Sequence, residues 1–384
     1  MKDHTRRLVV ALLTVGMLFS LGACGDNEKN IEETTTEKTI AAETTIATES
    51  TAAVDEDTTF IFTDSTGREV ELPRHISRVA SGGPLANIMI YAVKPDVLVG
   101  WSSRPSEIAQ KYIEEKYWEL PEYGKFYSNN DNFNREALMT SNPEVIIDVG
   151  QWDEEYKVEL DELQEQIGIP IILIEGELED TPAAFCTLGE LLEEPERGEA
   201  LGEYCEVVLA EAKEKTASIP EEDRVRVYYA EGEDGLSTIL SNTIHSQIYE
   251  LIGAEIVVDP DSVQVQRGGG TVSLEQVLAW EPDVIMFAPN SIYDDVAADP
   301  SWNALAAIQQ GNYYEIPGEP YNWLGRPPGP NRFIGIRWLG NLLYPDIYEY
   351  DIEEEVKTFF ELVYRYELSD EEVAELLGHS TLKE

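Results

Sequence analysis

Histidine and cysteine are almost missing from this chain. Its 384 residues include four histidines (His4, His75, His245 and His379) and three cysteines (Cys24, Cys186 and Cys205). No combination of them has zinc-ligand spacing, so no metal site of the protein's own is expected. Also absent are a G-x-S-x-G elbow, an H-E-x-x-H helix, a Walker loop and a G-x-G-x-x-G turn after a strand. With so little histidine, most acid–base and nucleophilic schemes lose their usual participants, so no catalytic residue and no cofactor is expected. Positive charge is scarce as well: 27 Lys and Arg against 75 Asp and Glu give a formal net charge of −48. Such a surface repels nucleic acid and anionic lipid, which excludes both as partners of the folded part. It suits an exported, soluble domain.

The beginning of the chain has a different composition. Lys2, Arg6 and Arg7 precede an apolar stretch from Leu8 to Ala23, shorter than the roughly 20 residues that span a bilayer comfortably. Cys24 closes the sequence LGAC. This segment resembles the lipobox of bacterial lipoproteins. The resemblance implies that residues 1–24 are a leader, and that Cys24 is lipidated and tethers the protein to the outer face of the cytoplasmic membrane. Residues 25–57 are dominated by Thr, Glu and Ala; they can bury no apolar face and are expected to form a disordered tether.

Beyond the tether the sequence repeats itself. NREALMTSNPEVIID (134–148) and SLEQVLAWEPDVIMF (273–287) align with Glu136 on Glu275, Leu138 on Val277, Pro143 on Pro282 and Glu144 on Asp283. A fainter copy is YAVKPDVLVG, from Tyr91 to Gly100. Each copy reads as an amphipathic helix stopped by proline and followed by a buried strand, the αβ half of a βαβ crossover. Copies 139 positions apart are too distant for a solenoid and predict two similar lobes. An opening hairpin is expected around the turn DSTG (64–67), the first α/β lobe over 58–180, connecting helices over 181–219, and a second α/β lobe with closing helices over 220–384. Ser369 and Glu372 form a capping-box pattern for the last helix. Cys186 and Cys205 flank Pro195; a helical hairpin there could bring them together, although two buried free thiols are expected.

Ligands of open α/β sheets sit beyond the carboxyl ends of the strands, and two facing lobes would enclose a cleft there. Residues at the predicted strand ends are therefore the binding candidates. In the first lobe they are Ser81, Gly82 and Gly83 of SGGP, then Trp101 and Trp152. In the second they are His245, Arg267 ahead of three glycines whose amides could hold an anion, Trp323, and Arg326 before Pro-Pro-Gly. Each has an alternative role: core edge for the tryptophans, surface ion pair for the arginines, tight turn for SGGP, and loop packing for His245.

The lipobox, TDSTGREVELP leading into ISRVAS, the two helix-x-P-[DE]-V-I-I copies and the long helical stretch between them occur in a specific order over about Phe60 to Leu377. Together they resemble the substrate-binding proteins of ABC importers for iron–siderophore, haem and cobalamin complexes. The resemblance implies two Rossmann-like α/β lobes joined by a long backbone helix, a ligand cleft between them, a monomer, and delivery of a metal chelate to a permease and its ATPase subunits. It also implies docking through one acidic residue per lobe, which the duplicated segments place at Glu155 and Asp294. YYAEGEDGLSTI and WLGRPPGPNRFIGIRWLGNLLYP resemble a subgroup described as iron-complex receptors, with relatives proposed for nickel chelates or for molybdate and tungstate. That pattern implies Tyr229, the loop 233–236 with Asp234, and Trp323 with Arg326 near the cleft. Glu231, Glu233 and Asp234 make the loop more acidic here than an anionic ligand would favour. Receptors for a bare oxyanion, and a surface enzyme or sensor on the same fold, are the competing expectations.

Overall fold

The computed structural model describes residues 58–125, 133–266, 269–325 and 327–382, with the side chains of 264–266 excepted. The leader, Cys24, the tether, Arg267 and Arg326 lie outside the described residues.

An antiparallel hairpin opens the fold, β1 (Thr59–Thr63) with β2 (Glu69–Pro73). The buried Arg68–Asp64 ion pair, at 2.6 Å, ties its turn together. Asp64 also accepts a bond from the Leu173 amide at 3.2 Å, which docks the hairpin on the first lobe. That lobe runs β3 (Val79–Ser81), α1 (Pro84–Val93), β4 (Leu98–Gly100), α2 (Glu107–Gln110), α3 (Arg135–Ser141), β5 (Val145–Gly150), α4 (Glu154–Ile167) and β6 (Ile171–Glu175). Its four strands β4-β3-β5-β6 are all parallel.

Helices α5 (Thr181–Leu191) and α6 (Pro195–Thr216) follow. The second lobe contains β7 (Arg226–Ala230), β8 (Ser237–Ile239), α7 (Gln247–Leu251), β9 (Glu255–Ile256), β10 (Gln264–Gln266), β11 (Gly269–Thr271), α8 (Leu274–Trp280), β12 (Val284–Phe287), α9 (Ala306–Gln309) and β13 (Tyr313–Glu315). Strands β13-β12-β7-β9 make a second parallel sheet, while β10-β11-β8 form a small antiparallel one. Helices α10 (Asn331–Leu343), α11 (Pro345–Tyr348), α12 (Ile352–Tyr364) and α13 (Asp370–Leu377) close the chain, the last with the capping box of Ser369 and Glu372.

In chain order within each lobe, both parallel sheets have the strand order 2-1-3-4. The sequence repeat falls on the same part of each: α3 into β5, and α8 into β12. Both helices end on a left-handed residue, Asn142 at φ 47° and Glu281 at φ 49°, immediately before the shared proline. The left-handed cap stops the helix and proline then favours extended chain, so one local device is used twice. The strands that follow are buried on both faces, as parallel strands covered by helices must be.

The α5–α6 hairpin is packed backbone to backbone. A Cβ on Gly198 would stand 2.8 Å from the Gly189 Cα and 2.6 Å from the Phe185 carbonyl oxygen. Neither can move aside without separating the helices, so Gly198→Ala is expected to destabilise the protein by about 2 kcal/mol, read as a lower urea midpoint with an unchanged slope. Cys186 and Cys205 are both free.

Polar ties outside the cleft join the lobes. The carbonyl oxygens ending α1 accept bonds from two arginines: Ala92 from Arg197 at 3.0 Å, and Val93 from Arg365 at 2.9 Å. The Tyr112 hydroxyl, in the first lobe, donates to Glu319 at 2.5 Å. A helix C-terminus capped by cations from α6 and the end of α12 resists displacement.

Candidate functional site

A strand order of 2-1-3-4 has one switch point, between its first and third strands, and the first lobe builds its wall of the cleft there. A cleft of about 680 Å³ is lined by Pro84 and Leu85 at the start of α1, Asp148 to Gln151 at the end of β5, Tyr156 of α4, and Gly176. Ser103 and Lys125 complete this side. The opposite side is Ile244, His245, Tyr321, Gly325, Pro327 and Pro328. Much of the wall is apolar or glycine backbone, with a few polar groups converging on it, the usual make-up of a small-molecule site.

Asp148 is the principal charged group of the first lobe's wall. It is buried, and burial pushes its carboxyl up to about 6, against the opposing effect of bonds from the Tyr156 hydroxyl at 2.5 Å and the Val149 amide at 3.0 Å. Gly82 makes room for it: a Cβ there would stand 2.5 Å from the Asp148 Cβ. Neither Asp148 nor Tyr156 stood out in the sequence. The signal was a charged residue inside the apolar run VIIDVG, where a parallel strand otherwise excludes charge.

On the opposite wall, Gly325 has φ +124° and no side chain between His245 and Arg332. A Cβ at that position would lie 3.8 Å from the His245 Nδ1 and 3.9 Å from the Arg332 Cδ. Arg332, the second residue of α10, is 1 % exposed. Its Nη1 donates to Gln247 at 3.1 Å, whereas Nε and Nη2 have no partner. Burial pulls this guanidinium down to about 10, with the charge of Glu177 acting in the other direction. The sequence pointed to Arg326, six residues earlier, and did not single out Arg332.

Of the residues predicted to bind, His245 lines the cleft, and Gly82 and Gly83 precede its Pro84. Ser81 lies beneath: it is fully buried, donates to Asn87 and accepts from the Ser102 amide at 3.0 Å, so it anchors the loop carrying Ser103. The tryptophans fill structure instead of the cleft. Trp101 is buried and donates to the Tyr117 carbonyl at 2.9 Å. Trp323 is buried against Trp338 and donates to the Glu319 carbonyl at 2.9 Å. Trp152 is half-buried over the smaller core of the first lobe and donates to Glu175 at 3.2 Å. Indole N–H groups seek a partner when buried, and here backbone and carboxylate oxygens supply it.

Tyr229 is buried within β7. Asp234 accepts from the Leu236 amide at 3.0 Å in a loop none of whose residues lines the cleft. The Tyr228 hydroxyl holds that loop through the Gly235 carbonyl at 2.9 Å, and Gly235 packs against Ile292 and Trp302. The second lobe thus builds its wall from the loops before α7 and after β13 instead of from the ends of β7 and β12. Glu155 and Asp294 are both exposed, each shortly after the third strand of its lobe.

Two α/β lobes of one topology, bridged by a long helix and enclosing a cleft, are the architecture of extracytoplasmic solute-binding proteins. Residues 106–320, more than half of the chain, match the family model for periplasmic binding proteins. The chain belongs to that family, and its relatives are named for the solutes they bind. It is similar to an ABC transporter solute binding protein from Sulfurospirillum deleyianum, 32% identical, with 83% of this chain and 99% of that one covered at a TM-score of 0.75. It is also similar to the molybdate-binding protein MolA of Haemophilus influenzae, 23% identical over 79% of this chain and 91% of that one; the molybdate-bound structure of MolA superposes with a TM-score of 0.63. A vitamin B12-binding protein of Pectobacterium atrosepticum is 27% identical over 54% of this chain and 70% of its own length.

Proposed function

We propose that this protein is the lipid-anchored receptor of an ABC importer, capturing a metal chelate outside the cell and delivering it to a permease with its ATPase subunits. The observation that carries the reading is the cleft: about 680 Å³ with a largely apolar wall, a size suited to a ligand of many atoms. Iron–siderophore complexes are the foremost class, with haem and cobalamin next; the relatives named for vitamin B12 support a large metal complex. Lipidation at Cys24 and a tether over 25–57 hold the receptor near its permease, and Glu155 and Asp294 are its docking charges. Arg326, which falls between Gly325 and Pro327 in the sequence, is taken as a ligand contact from the family resemblance.

A second reading has one specific observation in its favour. The relative covered over 91% of its length is molybdate-binding, and a bare oxyanion would use the same cleft with water filling the remainder.

Native mass spectrometry of the protein extracted in detergent from membranes of its own host tests both. A retained mass of several hundred daltons or more carrying iron or cobalt supports the chelate; a molybdate- or tungstate-sized mass moves the oxyanion ahead. A chain beginning at Cys24 with added acyl mass supports the anchor, and a chain without it removes that part of the reading.

A further inference from the structure

Arg332 has a feature that solute binding of an unspecified kind does not require. A guanidinium 1 % exposed is expected to satisfy its donors, because an unpaired buried charge is among the costliest groups a fold can hold. Here only Nη1 is bonded, and Nε with Nη2, the edge that grips an oxyanion in bidentate fashion, has no acceptor in the protein. No ion pair within 4.0 Å neutralises it among the described residues. Gly325, which lines the cleft, packs beside it: a Cβ there would lie 3.9 Å from the Arg332 Cδ and 3.8 Å from the His245 Nδ1, so Arg332 lies just behind the cleft wall. The bond from Nη1 to Gln247, the first residue of α7, fixes the fork without using its bidentate edge.

We infer that Arg332 is the anchor for an anionic oxygen group of the ligand, carboxylate, phenolate or oxyanion, bound where the cleft wall thins to the glycine backbone at Gly325. The inference rests on the cleft being the ligand site and narrows the ligand to one carrying such a group. Position 325 is glycine because φ +124° disfavours every other residue, and the bare backbone there keeps the wall in front of Arg332 thin.

The test compares the full chain, purified in detergent, with Arg332→Met, which keeps the volume and removes charge and donors. Thermal melting is recorded with molybdate, ferric citrate and a ferric tris-catecholate, each against chloride of equal ionic strength, and with two controls lacking such a group, a neutral iron trihydroxamate and cyanocobalamin. The expected result is that at least one anionic probe raises the melting temperature of the wild type. R332M should lose that shift, with affinity by calorimetry at least about a hundredfold lower, while its own melting temperature without probe is equal or higher because a lone buried charge has gone. An R332M that melts lower and still binds the anionic probe makes Arg332 structural and overturns the inference. If only the neutral probes stabilise both proteins, the inference falls and the cleft remains a receptor site. If no probe stabilises the wild type, both fall for these ligand classes. Should R332M not fold, Arg332→Lys, which keeps the charge and loses the fork, is read the same way, with a drop of about tenfold expected.

Discussion

Asp148→Asn will make the protein more stable at neutral pH and leave it nearly unchanged in acid. In the folded protein burial raises the Asp148 carboxyl to about 6 from an ordinary value of 3.8. Below pH 3.8 the group is protonated both folded and unfolded, and no penalty arises. Between 3.8 and about 6 the folded state holds the proton that the unfolded state has released, so stability falls as pH rises; above about 6 the penalty is complete and constant. Two pKa units correspond to about 3 kcal/mol. Asparagine has almost the same shape and can still accept from the Val149 amide and pair with the Tyr156 hydroxyl, but carries no charge to desolvate. The difference in unfolding free energy between variant and wild type should therefore widen by about 3 kcal/mol from pH 3.5 to pH 7.5. Urea unfolding at a series of pH values measures it. A difference that does not change with pH would mean that Asp148 ionises like an exposed carboxyl and that the cleft is wetter than its geometry.

An aspartate so placed lowers the stability of the fold, and such residues are found where function requires them. In the first lobe the arrangement follows from topology. The switch point brings the ends of β3 and β5 together, Gly82 allows the carboxyl to lie beside the chain, and the first turn of α4 supplies Tyr156. This much could be anticipated in outline, because helix–proline–strand repeats locate β5 and β12 and the ligand rule for open sheets locates the edge. The second lobe shares the topology and uses it differently. Its equivalent edge is occupied by the loop around Gly235, pinned by Tyr228 and packed on Trp302. The cleft wall comes instead from irregular segments around His245 and Gly325, to which no periodicity applies.

The tryptophans illustrate the same limit. Turn-rich flanks mark where the chain bends, but an indole there can face the ligand or the core, and the choice depends on which carbonyl its N–H can reach. For Trp101 that carbonyl is Tyr117, 16 residues further on, a partnership set by tertiary packing; for Trp323 it is Glu319, four residues back in the same loop, reached because the loop folds over it. Arg332 was hidden for the opposite reason. Nearly every residue of its helix from Asn331 to Leu342 is buried, because α10 packs against α6, α7 and α12. Burial on all sides is what turns an ordinary helical arginine into an unpaired charge beside a cleft.

Replacing Glu155 and Asp294 together by lysine will reduce ligand uptake in cells by at least tenfold while leaving ligand affinity within about twofold of the wild type. Both carboxylates are exposed, neither lines the cleft, and each follows the third strand of its sheet, so the shared topology presents one negative charge from each lobe. Charges at the rim of an interface act mainly on encounter and orientation, and like-charge contacts cost several kcal/mol, where 1.4 kcal/mol is already a factor of ten. On the docking role proposed for them, reversing both charges should therefore act on transport and not on binding. The substitution at Glu155 also places a cation at the positive end of α4, a cost of about 0.5 kcal/mol, too small to unfold the lobe. Uptake of radiolabelled metal chelate in a strain lacking the wild-type gene, beside calorimetry on the purified variant, separates the two effects. Each single replacement should give an intermediate loss, since one lobe would still engage. Full uptake by the double variant would show that docking uses other carboxylates of this very acidic surface, and a parallel fall in affinity would show that the substitutions had disturbed the cleft.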